Sequence, residues 1–186
     1  KDRMYWQAIL RKMNKINRIL IFGNSGSGKS TLAKELENAL NIPCYEIDNF
    51  RWQKNWIRVS QKTFESNLDK CASMDTWIVE DGSEITLNKF KDQADVIIWL
   101  QTNIVLCLVR LIKRSILRWS GYDSKSPEPI IMALKHWRHC LKYKFYKKDQ
   151  KFKKLLSKVD NKIIIIKNKK EKQNLITDLK EQSWEN

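Results

Sequence analysis

Short apolar runs alternate along this chain with longer segments in which apolar residues recur every three or four positions. The runs are typical of strands buried on both faces, and the periodic segments are typical of amphipathic helices. The predicted strands are Arg18–Phe22, Pro43–Ile47, Trp77–Glu80, Val96–Leu100 and Lys162–Ile166. The predicted helices are Thr31–Leu40, Thr63–Ala72, Ile104–Trp119, Ile130–Ser157 and Glu171–Lys180. This alternation predicts an α/β fold, in which a parallel sheet carries helices on both faces.

The breaks between these segments place a single domain on residues 17–182. No internal repeat or low-complexity linker divides that stretch, and 186 residues is the size of one ordinary domain. We interpret residues 1–16 as an N-terminal extension or a cloning remnant. Gly, Ser and Pro residues at 121–129 predict a loop. The region of about 119–150 is therefore expected to be a helical insertion over the carboxyl edge of the sheet, acting as a lid.

A glycine-rich segment joins the first strand to the helix that follows it. It runs Gly23-Asn-Ser-Gly-Ser-Gly-Lys-Ser30 and matches the phosphate-binding pattern G-x-x-x-x-G-K-[ST]. In such a loop (P-loop), backbone N–H groups converge on phosphate, Lys29 reaches the β and γ oxygens and Ser30 ligates Mg²⁺. The predicted cofactors are ATP or GTP with Mg²⁺. The predicted nucleotide-binding residues are Gly23, Asn24, Ser25, Gly26, Ser27, Gly28, Lys29, Ser30 and Thr31.

Acidic residues follow the second and third predicted strands at the same edge of the sheet. Asp81 ends the strand expected beside the P-loop strand, and we predict that it holds Mg²⁺ together with Ser30, a task that Glu80 could share. Asp48 follows the second strand and is predicted to position or deprotonate an acceptor hydroxyl. For both aspartates a purely structural role in a turn or cap stays open.

Arg110, Arg114 and Arg118 recur every four residues and therefore lie on one face of a predicted helix. Arginines beside a transferring phosphate stabilise the charge that develops on its oxygens. We therefore predict that Arg110 and Arg114 are catalytic. The alternative is a solvated basic helix face.

The formal charge of +15 is concentrated in the C-terminal third. Residues 134–172 contain 15 Lys and Arg residues and three acidic residues, a net charge of +12. Such a patch attracts polyanions, so nucleic acid is a candidate partner through Lys135–Lys172. A solvated lysine-rich surface explains the same residues equally well.

Cysteine spacing points to a reducing compartment, and hydropathy indicates no membrane span. The four cysteines include no C-x-x-C pair and form neither a zinc pattern nor a secreted disulfide framework. No apolar run approaches the roughly 20 residues of a membrane span, since Arg110 interrupts Asn103–Ile112. We expect a cytoplasmic protein without a membrane partner.

Several segments together resemble the adenylate-kinase-like P-loop proteins, and nearest among them the group labelled DNA topology modulation proteins. The resemblance extends over about Asn17 to Lys180. The segments that carry it are Gly23–Thr31, Ile42–Asp48, Trp52, Trp56, Trp77–Val79, Ala94–Ile98, Cys107–Arg110 and Ile163–Ile166. It implies a three-layer P-loop fold with a five-stranded sheet in the order 2-3-1-4-5. It also implies ATP at the P-loop, an acceptor site between the second and third strands, and a lid.

The acceptor region both follows and departs from that family's pattern. Asp81-Gly82 is similar to the Asp-Gly of the acceptor-side motif of adenylate kinases, and Arg110 with Arg114 is similar to their lid-base arginine pair. However, Ser83-Glu84-Ile85 stands where adenylate kinases have Phe-Pro-Arg. The arginine that would hold an acceptor monophosphate is thus missing, which disfavours AMP as the acceptor. Arginines expected after the lid are replaced by lysines, which cannot form the same bidentate contacts: Lys144, Lys147 and Lys148.

Two functional hypotheses follow. The first is transfer of the γ-phosphoryl group of ATP to an unidentified small acceptor, with Lys29, Asp48, Arg110 and Arg114 as the catalytic residues. The second is a nucleotide-dependent regulatory protein or NTPase that binds nucleic acid through its basic C-terminal third. The two differ in whether a phosphoryl group passes from the nucleotide to a second molecule.

Overall fold

A parallel five-stranded sheet forms the centre of the computed structural model, which describes residues 2–13, 15–53, 57–120, 130–145, 152 and 154–184. Its strands are β1 (Arg18–Gly23), β2 (Cys44–Glu46), β3 (Trp77–Asp81), β4 (Val96–Leu100) and β5 (Ile163–Ile166). They lie in the order β2-β3-β1-β4-β5, and every neighbouring pair is parallel. The parallel sheet and its order 2-3-1-4-5 are therefore confirmed.

Helices connect successive strands and cover both faces of this sheet. They are α1 (Asp2–Leu10), α2 (Lys29–Leu40), α3 (Ile47–Arg51), α4 (Gln61–Ala72), α5 (Glu84–Phe90), α6 (Ile104–Trp119), α7 (Ile130–Phe145) and α8 (Lys169–Trp184). A 3-10 helix, Ser157–Lys162, precedes β5. In the described part of the chain, no helix combines the length and hydrophobicity needed to cross a bilayer.

Alternate residues of β1 enter two separate cores, which explains why its sequence is apolar throughout. Ile19 and Ile21 pack with residues of α1, α2 and α8 on one face of the sheet. Leu20 and Phe22 pack with residues of α4 and α5 on the other. Burial of each such side chain contributes about 1.5–3 kcal/mol relative to exposure. The result is the predicted three-layer arrangement of helices, sheet and helices.

The N-terminal helix α1 is part of the packed domain, in contrast to the boundary that the sequence suggested at residue 17. Trp6 is 1% exposed, and its indole Nε1 donates to Asp178 Oδ2 of α8 at 2.9 Å. Arg3 forms an ion pair with the other oxygen of Asp178 at 2.7 Å. Gln182 of α8 donates to the carbonyl groups of Leu10 and Met13. These partners lie at the opposite end of the sequence, where hydrophobic periodicity alone could not indicate them.

The other predicted elements agree with the structure to within one or two residues, with a few exceptions. Helices α3 and α5 were not predicted, because each has fewer than eight residues and too few turns to show a period. The helix predicted to reach Ser157 is described as far as Phe145. The predicted loop at 121–129 and the last residues of the predicted lid, 146–150, lie outside the described residues.

If α1 stabilises the domain through its buried face, Trp6→Ala should lower the free energy of unfolding by about 3–5 kcal/mol, since it leaves a cavity and removes a buried hydrogen bond to Asp178. Urea unfolding measures the change. Met4, on the same helix, is 78% exposed, so Met4→Ala should leave the unfolding midpoint unchanged. Equal midpoints for the two variants would show that α1 contributes no stability.

Candidate nucleotide-binding site

The P-loop follows β1 and opens α2, and its backbone requires glycine at two positions. Gly28 has φ of 100°, a left-handed conformation that other residues rarely adopt. At Gly26, a Cβ atom would lie 2.5 Å from the carbonyl oxygen of Cys107 in α6. Glycine at these positions therefore allows the tight turn and the close approach of α6 to the loop.

Helix α2 begins without the side-chain cap that other helices of the protein possess. Ser60 caps α4, Ser83 caps α5 and Asn103 caps α6, each by accepting a bond from a backbone N–H of the first turn. The N-cap of α2 is Gly28, which has no side chain and so makes no such bond. The N–H groups of the first turn of α2, together with the positive end of the helix dipole, therefore suit an anion.

Lys29 and Ser30 lie in the first turn of α2 and point to two different partners. Lys29 Nζ donates to the carbonyl oxygen of Asn24, within the loop itself, at 3.1 Å. Ser30 Oγ donates to Glu80 Oε1, near the end of β3, at 2.9 Å. Glu80 is only 6% exposed, and this burial raises the pKa of its carboxyl group. Lys29 and Ser30 lower that pKa in part, whereas the nearby Asp48 carboxylate raises it further.

Asp81, the next residue, has its carboxylate fully engaged elsewhere. Gly82 N donates to Oδ1 at 2.7 Å. The hydroxyls of Ser83 and Thr86 donate to Oδ2 at 2.5 Å each, and Arg51 Nη2 lies 3.2 Å from the same oxygen. Burial would raise the pKa of Asp81, but Arg51 and these hydrogen bonds outweigh it and hold the pKa below its usual value.

The sequence predicted Ser30 and Asp81 as joint metal ligands, but the structure brings Ser30 to Glu80 instead. Asp81 joins the start of α5 to Arg51 of α3, whose guanidinium group also lies 4.8 Å from the centre of the Phe64 ring. Sequence reasoning gave no role to this Arg51–Asp81 pair. The only signal for it was an arginine three residues after Asp48, next to an aromatic cluster.

The remaining predicted residues of this edge lie on two helices. Asp48 occupies the first turn of α3, is exposed, and lies close enough to Glu80 to raise its pKa. Thr31 is exposed on α2. Asp48 and Glu80 therefore share the carboxyl edge of the sheet, where the sequence had placed them.

The arginines of α6 do not meet at one place. Arg110 Nη1 donates to the carbonyl oxygens of Gly26 and Ser27 at 3.4 and 3.2 Å, so its guanidinium group lies on the P-loop. Arg114 instead lies 3.4 Å from His136 Nδ1 of α7, and Arg118 is buried. Although the three arginines have the spacing of one helix face, their guanidinium groups are not at one position, because residues of α6 contact both the P-loop and α7.

Helix α7 also reaches the P-loop directly, a contact that the sequence did not indicate. Asn24 Nδ2 donates to the carbonyl oxygen of Cys140 at 3.0 Å and lies 3.3 Å from its Sγ. Asn24 Oδ1 accepts from Ser25 N at 2.8 Å, which fixes the amide orientation. A hydrogen bond with Cys140, together with burial, raises the pKa of the neighbouring thiol of Cys107.

Comparison with known proteins agrees with this geometry. The profile of the ATPase family associated with various cellular activities (AAA) matches residues 19–101, which include the P-loop and β1 to β4. The match covers less than half of the chain, and the matched part contains the P-loop. No curated protein sequence matches the chain.

Solved structures resemble the chain over most of its length at low sequence identity. A gluconokinase from Sinorhizobium meliloti 1021 has a TM-score of 0.51 and 13% identity, over 91% of this chain and 92% of its own. Shikimate kinase from Aquifex aeolicus vf5 has a TM-score of 0.49 and 18% identity, over 87% of this chain and 92% of its own. Of these two scores that of the gluconokinase exceeds 0.5, and at 13% identity it supports the fold alone. The chain therefore has the P-loop fold of that gluconokinase, while the resemblance to DNA topology modulation proteins stays a prediction.

Asp81→Asn should destabilise the protein in a pH-dependent way. A folded-state pKa below the usual value means that the ionised carboxylate stabilises the fold above about pH 4, and that this stabilisation disappears as the pH falls through the folded-state pKa. We expect a loss of about 1–3 kcal/mol near neutral pH that shrinks on acidification. Urea unfolding at several pH values measures it. The exposed Asp75 is the control, because Asp75→Asn should have no effect at any pH.

Proposed function

We propose that the protein is an ATP-dependent phosphotransferase that transfers the γ-phosphoryl group to a hydroxyl of a small acceptor. The observation that carries this proposal is the uncapped start of α2, where Lys29 and Ser30 lie beside the buried carboxylate of Glu80. Donors for phosphate oxygens and a carboxylate for a phosphate-bound cation meet at this point.

Ser30 and Glu80 suit Mg²⁺ in ligand chemistry and in number. Both offer oxygen atoms, which Mg²⁺ prefers, and they already lie within hydrogen-bond distance of each other. The described residues contain no cluster of three His, Cys, Asp or Glu side chains. That agrees with Mg²⁺ in nucleotide sites, which keeps waters and takes phosphate oxygens besides one or two protein ligands. We therefore assign Ser30 and Glu80 to the cation, in place of the predicted pair of Ser30 and Asp81.

Asp81 then has a positioning role. Its carboxylate holds Arg51 and the first turn of α5 beside the end of β3, and so sets the shape of the edge where an acceptor would bind. Asp48 is exposed on the same edge and is the proposed group that orients or deprotonates the acceptor hydroxyl.

Lys29 and Arg110 would both act on the phosphates, Lys29 from the start of α2 and Arg110 from α6. The ammonium group of Lys29 donates to the loop carbonyl of Asn24, and the lysine side chain is long enough for it to turn to phosphate oxygens instead. Arg110 lies on the loop carbonyls and would stabilise charge that develops during transfer. ATP bound here supplies the phosphoryl group, and Mg²⁺ neutralises its charge. Arg114 is a second candidate, whose position depends on the contact of α6 with α7.

Lys29→Ala should weaken ATP binding by roughly ten- to a hundredfold, since it removes a charged donor to the phosphates. Lys34 is the matched control: it lies on the same helix, its side chain is 61% exposed and it contacts Glu46. Lys34→Ala should bind ATP like the parent in calorimetric titration with Mg²⁺. Equal affinity of Lys29→Ala and the parent would contradict the assignment of the P-loop.

Transfer itself is tested by incubating the parent with ATP, Mg²⁺ and pools of nucleosides, nucleotides and sugars, followed by product analysis. A phosphorylated acceptor that is absent with Lys29→Ala establishes a kinase and identifies its substrate. ATP binding without transfer to any pool would reject phosphotransfer to these acceptor classes. Binding to DNA or RNA that weakens steeply with salt would then favour a nucleotide-dependent regulator instead.

Arg110→Ala should lower kcat about a hundredfold or more and change ATP affinity much less, because the proposed contact strengthens only during transfer. Arg110→Lys keeps the charge and should recover part of the rate. Arg114→Ala is the comparison, because the guanidinium group of Arg114 lies beside His136 of α7 and that of Arg110 lies on the P-loop. A larger loss of kcat at Arg114 than at Arg110 would contradict the assignment.

A further inference from the structure

Helix α6 carries a second apolar face, apart from the one that packs into the protein. Its buried face includes Cys107 and Leu111, which pack against α7. Val105, Val109, Ile112 and Ile116 form a different line, spaced by four, three and four residues, and each is between 42% and 62% exposed. This spacing places all four side chains along one stripe of the helix, roughly 16 Å long. We call these four residues the α6 stripe.

Helix α7, which packs on α6, also carries large apolar side chains that are exposed. Ile130, Ile131 and Leu134, at its start, are between 52% and 66% exposed. A monomeric protein scatters such residues singly, whereas a concentration on two adjoining helices marks a surface that binds something apolar.

Charge around these side chains indicates what that partner is. Helices α6 and α7 each contain four Lys or Arg residues and no Asp or Glu. Lys113 is exposed and lies one helical turn from both Val109 and Ile116 of the stripe. On α7, Lys135 and Arg138 are exposed beside Leu134. The partner must therefore present negative charge at its surface and an apolar interior directly beneath it.

We propose that α6 and α7 form a docking surface for a membrane that contains anionic lipids. Basic residues would lie at the phosphate level, and the α6 stripe would enter the boundary of the acyl chains, as in other amphipathic helices that lie in the interface. The expectation of no membrane partner rested on the lack of a spanning segment, which interfacial binding does not require.

Charge complementarity disfavours the other occupants. A second copy would bring two basic surfaces together, and the whole chain carries +15. Nucleic acid would match the charge but would leave the apolar stripe without a partner. An anionic bilayer satisfies both properties over a broad area.

The test is co-sedimentation with vesicles of phosphatidylglycerol and phosphatidylcholine in equal parts, compared with phosphatidylcholine alone. The parent should bind the anionic vesicles, and the double variant Val109→Glu/Ile116→Glu should bind them at least about tenfold more weakly. The control is Ile57→Glu/Ile85→Glu, which changes side chains that are 59% and 52% exposed outside these two helices, and it should bind like the parent. Circular dichroism of the variants establishes that each is folded.

Three results would overturn the proposal. The first is no binding of the parent to anionic vesicles. The second is equal binding by the stripe variant, which would mean that charge alone accounts for the association. The third is a dimeric parent, measured by light scattering in the absence of lipid, that the stripe variant converts to a monomer, since a second copy would then cover the face. ATP titration of the same variants shows separately whether the nucleotide site is intact.

Discussion

The position of β1 between β3 and β4 determines where every residue of the candidate site lies. Its backbone is hydrogen-bonded along both edges, and its side chains are buried on both faces, so it can shift in neither direction without loss of packing. The register places Ile21 opposite Glu80 and Phe22 opposite Asp81. The P-loop, which begins at the last residue of β1, Gly23, therefore lies beside the last residues of β3. A slip of one residue would move Glu80 away from Ser30 and turn Asp81 towards α2.

The alternation of side chains along β3 explains why two adjacent carboxylates differ so much. Glu80 faces α2, where burial next to few donors raises its pKa. Asp81 faces α3 and α5, where Arg51 and a set of hydroxyl and N–H donors more than compensate for burial. Among the described residues, Asp81 is thus held by several bonds, whereas Glu80 accepts from the Ser30 hydroxyl, a partner that a cation could replace. In the proposed function, Glu80 is accordingly the ligand and Asp81 the support.

Much of the fold follows from local signals in the sequence. Strands buried on both faces give uninterrupted apolar runs such as Val96–Leu100, whose bounds agree with β4. The P-loop is recognisable because its lysine, hydroxyl and glycines occur at fixed spacing, and the spacing of apolar residues located α6 to the residue. These features depend on interactions between residues close together in the chain.

What the sequence could not indicate depends on contacts between distant residues. Helix α1 is held by Asp178, and Arg51 contacts the end of β3 through Asp81. The choice of Glu80 over Asp81 as the partner of Ser30 follows from the pleat of β3 and its register with β1, neither of which composition reveals. Resemblance to adenylate kinases favoured the Asp-Gly pair, whereas the contacts of Asp81 led us to propose a positioning role for it.

The two contacts between Asn24 and Cys140 mean that the P-loop and α7 are linked thermodynamically. A phosphate that reorients the Asn24 amide would change its contacts with Cys140, and with them the free energy of α7 packed against the loop. By reciprocity, a molecule that binds one position of α7 more tightly than another changes the affinity of the loop for phosphate by the same factor. If nucleotide binds at the P-loop as proposed, a ligand of α7 would therefore change nucleotide affinity through this one amide, without touching the nucleotide.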